Sequence, residues 1–216
     1  MGIKEDFDLL ANAIISGKHI EAGTLTSQLL NGTAMPEEIL EKGLLPGMEV
    51  VGKRFKDNEI FLPQVLVSAR AMKAAMNILE PLMIGSGHKP KGKVLLGTVK
   101  GDVHDIGKNL VSIMLQGSGY SVVDLGTGCT TEKFLSGIET HNPDIVGMSA
   151  LLTTTMVYMK TVIDFLRSHE VSIPIIIGGA PINQKYANEI FADGYARNAA
   201  EAVDLVAKIL SERRTT

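Results

Sequence analysis

The chain has 216 residues, 45% of them hydrophobic and 21% charged, with a formal net charge of -3. That length can bury a core in one or two domains, and the charge leaves no basic footprint for nucleic acid. No apolar run approaches the roughly 18 residues a membrane span needs, the start from Met1 to Asp6 lacks the apolar centre of a secretion signal, and the single Cys129 excludes an internal disulfide and suits a reducing cytoplasm.

Taken in chain order, the first elements all read as helix. Phe7, Leu10, Ala11, Ile14 and Ile15 fall at helical spacing over residues 5–15, and Gly17 ends the run. Residues 20–30 give a second helix, closed by Asn31 and Gly32. Pro36 suits the first turn of a third, which passes Ile39 and Leu40, is interrupted at Gly43 and Pro46, and continues to Phe55. The fourth, residues 62–83, is the most periodic: Leu62, Val65, Leu66, Ala69, Met72, Met76, Leu79 and Met83 make one apolar stripe. Four such helices predict a bundle, with the methionines as core filler.

Residues 85–92 combine glycine, serine, proline and lysine with no apolar side chain, the composition of an exposed linker. Beyond it the pattern changes. Strands are expected at residues 93–99, 120–125, 144–149 and 173–177, with a short one at 194–196; helices follow at 106–116, 130–141, 156–168 and 199–210. Alternation with short connections predicts a doubly wound parallel sheet. The expected domains are therefore a helical one over residues 1–86 and an α/β one over 87–216.

In such a sheet, ligands bind beyond the carboxyl ends of the strands. The first strand runs into Gly101, Asp102, Val103, His104, Asp105, Ile106 and Gly107. An imidazole paired with a carboxylate is what a metal ligand needs, because the carboxylate fixes the tautomer and ring angle. The third strand ends at Ser149 and Leu151, followed by Thr153, Thr154 and Thr155; the fourth ends at Gly178, Gly179 and Ala180. Neither a GxGxxG fingerprint nor a GxxxxGK[ST] loop is present, which disfavours simple dinucleotide or phosphate binding.

Asp102-x-His104-x-x-Gly107, Ser149-x-Leu151 and Gly178-Gly179 together resemble the DxHxxG, SxL and GG pattern of cobalamin-binding domains. The stretch Phe61-Leu62-Pro63-Gln64-Val65, with Ser68 to Lys73, is similar to the cobalamin region of methionine synthase and to the corrinoid proteins of methyltransferase systems. The resemblance spans both modules in the same order. It implies a four-helix cap followed by a Rossmann-like, flavodoxin-like α/β domain that binds cobalamin (methylcobalamin or cob(I)alamin) base-off, with His104 as the lower cobalt ligand. Asp102 and Ser149 would complete a hydrogen-bonded relay. Gly107, Leu151, Thr153, Gly178, Gly179, Ala180, Asn198 and Ala199 would line the pocket for the nucleotide tail, and Gly101, Val103, Asp105 and Ile106 would share the histidine loop. The cap would present Phe55, Leu62 and Val65, with Glu41 as a polar contact, to the upper face.

A chain of this length has no room for a TIM barrel, so the resemblance implies a stand-alone methyl carrier in the cytoplasm, not catalytic by itself. Its expected partners are a donor-specific methyltransferase, an acceptor methyltransferase working on a thiol or tetrahydrofolate, and a corrinoid reductive activase, with neither nucleic acid nor membrane among them. Two alternatives share the binding motif. An adenosylcobalamin-dependent mutase small subunit would lack the helical cap. A cobalamin-based sensor would add a DNA-reading domain, for which there is neither length nor basic charge.

Overall fold

The computed structural model describes residues 3–83 and 89–214. The chain forms two compact units, one made of the residues up to Lys89 with Gly117–Gly119, the other of Pro90–Gln116 and the residues from Tyr120 onward. The expected boundary at residues 86/87, and the first half of the expected linker, residues 85–88, lie outside the described residues.

The first unit is helical: α1 Ile3–Ile15, α2 His19–Asn31, α3 Pro36–Ile39, α4 Leu45–Lys56 and α5 Leu62–Met83. Leu10, Ile14, Ile39, Leu44, Val65 and Leu79 are fully buried and form its core. The interruption expected at Gly43 and Pro46 is a π-helical turn, Leu40–Leu44, in which the Leu45 N–H donates to the Leu40 carbonyl five residues back. Proline at 46 has no N–H to give to the preceding turn, so the wider turn takes up one extra residue there. Gly43 proves to be a packing position as well as a break. A Cβ on Gly43 would lie 2.8 Å from Leu10 Cδ2, and one on Gly47 2.8 Å from the Ala11 carbonyl, so this pair lets the segment approach α1 closely.

The second unit is a five-stranded parallel sheet in the order β2-β1-β3-β4-β5, from β1 Lys93–Thr98, β2 Ser121–Asp124, β3 Ile145–Ser149, β4 Ile175–Gly178 and β5 Gly194–Ala196. One face packs on Phe134 and Ile138 of α7 (Thr131–His141), on Met159, Val162, Ile163 and Leu166 of α9 (Tyr158–Ser168), and on Ala187 of α10 (Gln184–Glu189). The other packs on Leu115 of α6 (Ile106–Gly117) and on Val206 and Leu210 of α11 (Ala199–Arg214). Two elements lie outside the sequence expectation. A short α8, Thr153–Met156, precedes α9, and α10 forms where no apolar period announces a helix, its start capped by Asn183 Oδ1 accepting from the Tyr186 N–H at 2.9 Å.

Register brings the chemistry together. Thr98 pairs with Ser149, Ser149 with Gly178, and Gly178 with Ala196, so the carboxyl ends of four strands stand in one row. The order reverses between β1 and β3, the place where such sheets open a crevice for a ligand.

Candidate functional site

Two loops flank that crevice. From β1, the chain turns at Gly101, whose φ of +84° favours glycine, and Asp102 follows with its side chain fully buried. Asp102 Oδ1 accepts from the His104 backbone N–H at 3.0 Å and lies 2.7 Å from His104 Nδ1. Asp102 Oδ2 accepts from the Thr155 hydroxyl at 2.6 Å, the Leu151 N–H at 2.8 Å and the Leu152 N–H at 3.4 Å, all from the loop after β3. Burial raises the pKa of this carboxyl, but the bonds from Thr155, Leu151 and His104 outweigh it and hold the group well below the usual carboxylate range.

An ionised Asp102 can only accept, so His104 Nδ1 must carry the proton and Nε2 is left with its lone pair. The His104 main chain is fixed from the other side too, its carbonyl accepting from the buried Thr98 hydroxyl at 2.9 Å. The imidazole itself remains 45% exposed. Around it stand apolar side chains that a monomeric protein would normally cover: Val103 at 75% exposure, Ile106 at 71%, and Leu151 and Leu152.

Among the described residues, no group of three or more His, Cys, Asp or Glu side chains could cage a metal ion. One imidazole does not hold a bare ion against water, but it can complete the coordination of a metal carried in an organic ring. An apolar surface around the free nitrogen suits such a ring. Gly107 adds space, since a Cβ there would meet nothing within 4 Å.

Comparison with known proteins agrees with this geometry. Residues 92–204 match a B12 binding domain family, and residues 7–80 match a second B12 binding domain family. A corrinoid protein of Desulfitobacterium hafniense is 42% identical, covering 95% of this chain and 97% of its own length. The dimethylamine corrinoid protein of Methanosarcina barkeri is 41% identical over 98% of this chain and 100% of its own. This chain belongs to the corrinoid proteins of methyltransferase systems. A solved structure, the methanol:cobalamin methyltransferase complex of Methanosarcina barkeri, contains a chain that superposes with a TM-score of 0.89 at 33% identity, covering 96% of this corrinoid protein and 80% of that chain.

Within the corrinoid protein, the residues expected at the site are not all arranged as expected. The relay partner of Asp102 is Thr155, not Ser149. Ser149 ends β3, where its backbone is engaged in the sheet, and no hydrogen bond joins its side chain to Asp102 or His104 among the described residues. The chain then enters α8, and this turn carries the third threonine of the run inward while Thr153 stays exposed. Thr155, Leu152 and Thr98 are the members sequence reasoning missed. The signal for Thr155 was the threonine run itself, of which a helical turn buries only one.

Gly178, which ends β4, and Gly179 after it both lie close against other backbone. A Cβ on Gly179, at φ +141°, would lie 1.8 Å from the Ala150 carbonyl, so glycine there permits contact between backbones. Gly178 would place a Cβ 3.2 Å from the Ala196 carbonyl. Ala180 and Asn198 are exposed, but Asn198 Oδ1 is taken up in capping α11, accepting from the Glu201 N–H at 2.9 Å, and Ala199 is buried. Asp105 is exposed and accepts from Asn109 Nδ2 at 3.0 Å. In the helical unit Glu41 is exposed, on the π-helical turn, and Phe55 and Leu62 are half-buried. Val65 is fully buried in α5 and belongs to the core, so it has no surface to offer a ligand.

Proposed function

We propose that the chain is a methyl carrier: it binds a corrinoid base-off, with His104 Nε2 as the lower ligand, receives a methyl group through a donor-specific methyltransferase and yields it to a second methyltransferase acting on a thiol or tetrahydrofolate. The observation that carries this reading is the half-exposed imidazole whose Nδ1 is held by a buried, ionised Asp102 and whose surroundings are exposed apolar side chains. When bound, the corrinoid supplies a cobalt centre able to take up and give up a methyl group.

The chain's own residues then have defined tasks. Asp102 keeps the proton on Nδ1 and so presents the lone pair of Nε2. A carrier must also release this nitrogen, and the Asp102 carboxylate, held to Nδ1, keeps the ring in its orientation when it does. Thr155, Leu151 and Leu152 keep Asp102 anionic throughout. Val103, Ile106 and Leu151 would hold the lower side of the ring and exclude water from it. Gly107, Thr153 and Asn198 would border the nucleotide tail.

The donor is a small methylated amine or alcohol in this reading. The methylated amines come first, since the dimethylamine corrinoid protein of Methanosarcina barkeri is 41% identical and the methanol complex chain 33%. A corrinoid reductive activase is a third partner, and the buried free thiol of Cys129 accords with a reducing cytoplasm. The test is a transfer assay. The corrinoid-loaded chain is incubated with dimethylamine-, monomethylamine- or methanol-specific methyltransferases, and methylation of its cofactor is followed by absorbance. Methylation by one class, followed by transfer to a thiol or tetrahydrofolate acceptor, is expected. A loaded chain that none of these enzymes methylates would reject the donor assignment.

A further inference from the structure

One buried charge lies outside the bonds made by Asp102 and His104. The Lys108 side chain is 2% exposed, on the first turns of α6, and an ammonium removed from water needs strong partners. Its Nζ lies 2.5 Å from Asp124 Oδ2, at the end of β2, and 2.9 Å from Asn109 Oδ1. Both neighbours lead on to the cofactor site. Asp124 Oδ1 accepts from the Gly126 N–H at 2.8 Å, the Gly126 carbonyl accepts from the Thr98 N–H at 2.9 Å, and the Thr98 hydroxyl donates to the His104 carbonyl. Asn109 Nδ2 donates to Asp105 Oδ2, beside His104, and the Gly128 N–H donates to the Asp102 carbonyl at 3.0 Å.

We infer that Lys108 and Asp124 are positioning residues that lock the loop after β1 to the loop after β2, and so fix the main chain from which His104 reaches its metal. The inference rests on the reading of His104 as a cobalt ligand. Its physical basis is that Nε2 can be released and recaptured at one place only if the backbone at 104 stays where it is. Asp102 controls the ring, through Nδ1, while the Lys108–Asp124 pair anchors the helix start one turn further along. An apolar side chain at 108 would fill the volume but would not tie α6 to β2.

The test uses the full chain loaded with cob(II)alamin. Electron paramagnetic resonance of the chain made with heavy-nitrogen histidine reads the fraction of cobalt split into a doublet by a histidine nitrogen, and thermal unfolding of the cofactor-free chain is measured alongside. K108M is expected to retain cobalamin while the split-to-unsplit ratio falls about tenfold, the lower end of what loss of a supporting group costs a metal site. K108R should restore most of it. D124N, at a position 37% exposed, should move the ratio the same way and serves if K108M does not fold. Wild-type ratios in K108M and D124N, with lowered stability as the only change, would overturn the positioning role and leave the ligand assignment intact. A wild-type chain without the doublet would overturn the ligand assignment and this inference with it.

Discussion

At Asp102, five hydrogen bonds converge on one buried carboxylate, and their balance determines both the histidine tautomer and part of the stability of the fold. A carboxyl depressed in the native state adds stability above its unfolded value, near 3.8, and loses it as pH falls through the native value. The stability difference between the cofactor-free chain and D102N should therefore be constant above about pH 5 and close as pH drops below 3.8, as measured by urea unfolding across that range. Thr155 supplies the shortest of the bonds, at 2.6 Å. T155V should cost about 2 kcal/mol, since it leaves a buried anion one donor short, while T155S should cost little. S149A should stay within about 0.5 kcal/mol, a contrast that separates the two candidates for the relay.

Among the elements, the α/β alternation was readable because the first three strands are short apolar runs that each lead to an amphipathic helix. The histidine loop was readable because Asp102, His104 and Gly107 sit where strand order predicts a ligand. What escaped was set by contacts between distant segments. Whether Ser149 or Thr155 meets Asp102 depends on one turn of α8, and α10 rests on a cap at Asn183 without an apolar stripe. Gly43 reads as a helix breaker, although the reason for it, and for Gly47, is the nearness of α1, which no local pattern encodes. G47A should therefore destabilise the helical unit by about 1–3 kcal/mol in thermal unfolding, because its methyl would meet the Ala11 carbonyl and Ile14 Cβ. The reverse holds after α10. Phe191 is exposed at φ +59°, a conformation that costs a non-glycine residue about 1–2 kcal/mol, so F191G should stabilise the chain by up to about 1 kcal/mol.

At the scale of the whole molecule, the order of modules carried the reading as much as any residue. A helical unit with the Phe61 to Val65 stretch, followed by the sheet with its histidine loop, is matched over the same order by two B12 binding domain families. In the proposed reading, donor choice would belong to partner enzymes, and this chain would need only a surface for them and a metal ligand that both holds and lets go. The ligand is the central claim. It is tested most directly by electron paramagnetic resonance of the cob(II)alamin-loaded chain made with ordinary or heavy-nitrogen histidine. The account predicts a nitrogen triplet that becomes a doublet in the labelled chain and disappears in H104A. A triplet that survives the labelling would put the cofactor's own base on cobalt and contradict it.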